Sequence, residues 1–131
     1  MKTLVRFTLP AVFGCMMIST MNIAGTSGHD SIGMQCHLES LKLNNLIHSQ
    51  PRDKCAGDVG IAAAYLDAAS MQIRTNHLKE ALVSLHYGES ELKSIAYSRA
   101  YCANFSQQVK PSIAQVIRFI GEVETFEQMS R

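Results

Sequence analysis

Several signatures of catalysis are missing from this chain. There is no glycine-rich phosphate loop, no HExxH, no GxSxG and no CxxC, so the motifs that carry nucleotide, zinc-hydrolase and serine-hydrolase chemistry are absent. A basic excess is also missing. Twelve Lys and Arg stand against eleven Asp and Glu, whereas a general nucleic-acid binder needs a clear positive surplus. No low-complexity tract, second domain or convincing strand pattern interrupts the 131 residues. These absences favour a non-enzymatic, all-α protein with no cofactor and no metal expected.

What is present begins with an export-like segment. Lys2 and Arg6 precede a stretch without charge from Phe7 to Ala24, and the small residues Gly25, Ser27 and Gly28 follow. That layout is a secretory signal peptide. It is expected at 1–25, with one helical domain at 26–131 and a periplasmic or secreted destination. One alternative is an uncleaved N-terminal membrane anchor, because the uncharged run is about 20 residues long, near the length of a span. Pro10, Gly14, Ser19, Thr20 and Asn22 dilute its hydrophobicity. Another is a lipoprotein: VFGC at 12–15 resembles a bacterial lipobox ending on Cys15, with Phe13 a poor fit. Loss of Lys2 and Arg6 leaves ten basic and eleven acidic side chains, a net charge of −1.

The remainder reads as a small up-down four-helix bundle, with helices near 32–49, 58–75, 77–97 and 111–127. Residues 26–31 are polar and expected to be flexible. The first helix carries Met34, Leu38, Leu41 and Ile47 as its apolar stripe and ends before Pro51. Asp58 is the expected N-cap of the second, which presents Ile61 or Ala62, then Tyr65, Ala69 and Ile73, and stops at Asn76. Leu78, Ala81, Leu82, Leu85, Leu92 and Ile95 stripe the third, where Gly88 marks a close approach. Residues 98–110 read as loop or frayed helix. Pro111 suits the first turn of the fourth helix, whose inward residues are Ile113, Val116, Ile117, Ile120 and Val123.

Residues 65–93 resemble one tetratricopeptide repeat. Tyr65, Ala68, Ala69, Ala81, Leu85 and Gly88 fill its large, small and packing positions, while Gln72 and Lys93 depart from it. No second copy lies 34 residues away, and such repeats need about three units for stability. The resemblance implies an antiparallel helical hairpin and no binding residues.

Three cysteines follow the export segment: Cys36, Cys55 and Cys102. An odd number allows one internal bridge at most. Cys36 and Cys55 sit at opposite ends of the first helix, roughly 20 Å apart at 1.5 Å per residue, too far for a disulfide. Cys55 and Cys102 both fall at the same end of the bundle and form the expected pair. Cys36 is left as a free, buried thiol or an intermolecular one.

Two His-x-x-Glu pairs, His77 with Glu80 and His86 with Glu89, each lie one turn apart. An offset of nine residues points them to opposite sides of the helix, so they do not share an ion. The expected partner is another protein, bound through a bundle face. The alternative is an anionic lipid head group or other anionic ligand at a basic, disulfide-pinned end built from Arg52, Lys54, Arg99 and Lys110.

Overall fold

The computed structural model describes residues 28–131. The expected signal peptide at 1–25, including Cys15, lies outside the described residues. Four helices follow one another: α1 (Gly28–Ser49), α2 (Ala56–Arg74), α3 (Leu78–Tyr97) and α4 (Ala103–Met129), with a 3₁₀ turn at Ala100–Cys102. Each helix packs on its sequence neighbour, and α4 returns to touch α1. The contacts Gln35 to Arg118 and Glu39 to Ser112 show α1 and α4 running antiparallel. The result is an up-down bundle closed into a ring.

Boundaries follow packing more than punctuation. The first helix starts at Gly28, so residues 28–31 are helical where a flexible tail was expected. Burial explains this, because Ile32 is 6% exposed and the His29 ring meets the Phe126 ring edge-on at 4.7 Å. Cys55, not Asp58, is the N-cap of α2, since the turn closes earlier, on the bond from Cys55 N–H to Asp53 Oδ1. At the far end of α2 the left-handed residue falls where expected: Asn76 has φ 63°.

The largest boundary difference is in α4. Pro111 lies inside this helix, not at its start. Phe105 and Val109 are fully buried and extend the apolar period of Ile113, Val116, Ile120 and Val123 back through the proline. Their burial outweighs one lost backbone bond.

Leu43, Leu66, Leu85, Leu92, Phe105, Val116, Phe119 and Val123 fill the centre. On α1 the expected stripe is wrong in phase. Met34, Leu38 and Leu41 are 45%, 51% and 44% exposed, and the inward residues are Ile32, Gly33, Cys36, Glu39, Ser40 and Leu43. Two features select this phase. A Cβ at Gly33 would lie only 3.1 Å from the Ser70 backbone oxygen, so glycine lets α1 and α2 close up. Glu39 reaches Ser112 on α4. Ile117 is likewise outward, and on α2 Ala62 is buried while Ile61 is not. Gly88 makes its expected close approach, with Leu66 Cδ2 3.3 Å from a Cβ built there.

Candidate functional site

The N-termini of α2 and α4 meet at one end of the bundle. Cys55 caps α2 and Cys102 caps α4, and the two are joined by a disulfide with their Cα atoms 5.0 Å apart. Helix direction alone brings them together, since two antiparallel helices intervene. Both sulfur-bearing residues are fully buried.

Polar groups are organised around this bridge. Asp58, one turn into α2, places Oδ2 3.9 Å from Cys55 Sγ and 3.7 Å from Cys102 Sγ. The Tyr101 hydroxyl donates to that oxygen at 2.6 Å. Arg99 Nη1 lies 3.3 Å from it and 2.5 Å from Glu91 Oε1. The Glu91 hydrogen bond, more than the charge of Asp58, holds the Arg99 pKa above its usual value, while the bond to Asp58 raises that of the Tyr101 phenol. On the loop side, Asp53 accepts from Asn104 Nδ2 at 2.8 Å and from the Cys55 amide. These bonds, Asn104 first, lower its carboxyl below the usual range.

This arrangement divides the four proposed anion-binding residues. Arg99 is committed to Glu91 and Asp58 and turns toward the bridge. Lys110 sits over the Tyr97 ring, 5.2 Å from its centroid. Arg52 and Lys54 remain exposed in the α1–α2 loop. Of the four, Arg99 and Lys110 are thus engaged by other side chains of the bundle. Sequence reasoning missed Glu91 as the bidentate partner of Arg99, although it lies only eight residues earlier in the chain.

Cys36 is a free thiol at 0% exposure. Burial pushes its pKa up to about 12, against a smaller opposing effect of Arg118. A protonated thiol shielded from solvent is a poor nucleophile. The His-x-x-Glu pairs also separate. His86 Nδ1 is 3.7 Å from Glu89, which Lys93 engages at 2.6 Å, whereas His77 contacts Thr75.

Two surface features were not anticipated as such. On the outer side of the α1–α2 seam, His37 Nδ1 meets Asp67 Oδ1 at 2.8 Å, in a groove also lined by Ser40, Leu41, Asn44 and Gly60. The second feature is the ridge Met34, Leu38, Leu41 along the outside of α1. Its i, i+4, i+7 spacing was legible in the sequence, but its outward direction was not. The ridge lies between the His37 groove and a second groove at the α1–α4 seam, lined by Gln35, Leu38, Lys42, Gln115 and Arg118.

Among the described residues no helix is long and apolar enough to cross a membrane. In comparisons with protein-family models, curated proteins and solved structures, nothing matches this chain.

Proposed function

We propose that this is an exported helical binding module without catalytic activity, which docks a protein partner through the outer face of α1. The observation that carries this reading is the ridge of Met34, Leu38 and Leu41, each close to half exposed and directed away from the core. Three large apolar side chains on successive turns of one helix cost solvation free energy unless something covers them. A groove on either side of the ridge suits a partner whose own helix lays an apolar stripe along α1. The disulfide supports the export part of the reading, since such bridges persist in oxidising compartments.

A photo-crosslinking residue at Leu38 tests the proposal. It should capture one discrete protein in cells, and the same probe at Ser90, on α3 diagonally across the bundle, should not. With the probe kept at Leu38, Leu41→Asp should abolish the capture while leaving helix content unchanged. Equal capture from both positions would refute the assigned face. Liposome co-sedimentation distinguishes the alternative reading: sedimentation with anionic vesicles that disappears on neutralising Arg52 and Lys54 would favour the basic end.

A further inference from the structure

We propose that the Cys55–Cys102 end becomes a binding site for a thiophilic divalent cation such as Zn²⁺ when its disulfide is reduced. Its ligands would be the two cysteine sulfurs and the Asp58 carboxylate. Among the described residues this is the trio of His, Cys, Asp or Glu whose ligand atoms all lie within 4.8 Å of one another.

The donor set fits such an ion. Thiolate and carboxylate oxygen are both zinc ligands, and three protein ligands leave a fourth tetrahedral position open. With Zn–S near 2.3 Å, the sulfurs would stand about 3.8 Å apart, a spacing that side-chain rotation reaches from Cα atoms 5.0 Å apart. Cys55 and Asp58 are three residues apart at the start of α2, hence on one face. Cys102 approaches from the start of α4.

The surroundings fit as well. Two thiolates and one carboxylate on a dication leave a net charge of −1. Arg99, 3.3 Å from Asp58 Oδ2, offsets it. So do the positive N-terminal ends of α2 and α4, which also favour the thiolate form. The Tyr101 hydroxyl holds the carboxylate in place at 2.6 Å, as an outer-shell partner does for a metal ligand.

The switch between the two states is a two-electron step. A dithiol reductant delivers two electrons and two protons to the bridge. The S–S bond breaks, two S–H bonds form, and the reductant closes its own disulfide. Zn²⁺ then binds both sulfurs and the carboxylate, and both thiol protons leave to solvent. The bridge and the bound ion are therefore mutually exclusive.

The test uses the full chain with Cys15→Ala and Cys36→Ala, so that only the paired sulfurs remain. After reduction by a dithiol and its removal without oxygen, Zn²⁺ is titrated against a chromophoric chelator. One ion per chain is expected, with none retained by the oxidised chain, and Asp58→Asn should weaken the affinity at least tenfold. Co²⁺ should give sulfur-to-cobalt charge-transfer bands. Zn²⁺ should also raise the thermal midpoint of the reduced chain, which separates a site in the folded bundle from binding by unfolded cysteines. Equal retention by both redox forms, missing cobalt bands, an affinity unmoved by Asp58→Asn, or an unchanged midpoint would each overturn the proposal.

Discussion

Glu39 is the one charged side chain in the described core, 4% exposed on α1. It persists there because Ser112 donates to Oε1 at 2.6 Å and Lys42 reaches Oε2 at 3.1 Å. Ser112→Ala should therefore destabilise the bundle by about 1–2 kcal/mol, since it leaves a buried carboxylate oxygen without its donor. Combining it with Glu39→Met should recover much of that loss, because an apolar pair leaves nothing unsatisfied. Urea denaturation of the two single variants and the double variant checks both expectations. Cys36 supplies a pH effect of known sign. Its folded pKa of about 12 lies above the ordinary 9.0, so the folded chain keeps a proton that the unfolded chain loses. Its contribution is full below about pH 9 and falls as pH rises toward about 12. Cys36→Ala should flatten that part of the alkaline stability curve, measured as denaturation midpoints between about pH 8 and 10.5. One of the two environments was legible at this scale: Cys36 was expected as a free, buried thiol and is one. Cys36 could be assigned to an apolar face, but the burial of Glu39 depends on a serine 73 positions away.

Helix number and order were legible because each of the four segments has a helical apolar period, with Pro51 and Asn76 marking the ends of the first two. Phase and extent were less so. The α1 sequence carries two possible apolar stripes, and only the neighbouring helices decide which one turns inward. In α4 the proline reads as a boundary, whereas Phe105 and Val109 show that the period runs through it. Two substitutions exploit the resulting helix. Pro111 offers no N–H to the Gln107 carbonyl and is exposed, so Pro111→Ala should stabilise by about 1–3 kcal/mol. Gly121 is exposed within α4, and a Cβ built there meets nothing within 4 Å. Gly121→Ala should therefore add about 0.5–1 kcal/mol through backbone entropy alone. Thermal melts followed by circular dichroism would show both as higher midpoints. An unchanged or lower midpoint for Gly121→Ala would mean that α4 is frayed there.

At the scale of the molecule the main constraint is covalent. Antiparallel helices with short connections brought Cys55 and Cys102 to the same end by elimination, and that pairing is the one found. The acids that occupy Arg99 were beyond the same reasoning, because helix direction fixes which end a residue reaches but not which neighbour it meets. The bridge spans 47 residues, so closing that loop in the unfolded chain is worth about 4 kcal/mol by the chain-entropy argument. Comparing denaturation of the oxidised chain with that of Cys55→Ser/Cys102→Ser should recover most of this figure.

The same bridge divides the bundle into two mechanical classes. All of α2 and α3 lies between the two cysteines, so tension applied at the chain ends passes from α1 to α4 through the sulfur–sulfur bond. The central hairpin is left outside the force path. Stretched from its ends, the oxidised chain would release about 160 Å less contour length than the reduced one, taking roughly 3.5 Å for each of the 47 bypassed residues. Under load, the hairpin would behave as a cargo carried on a shorter tether of two helices.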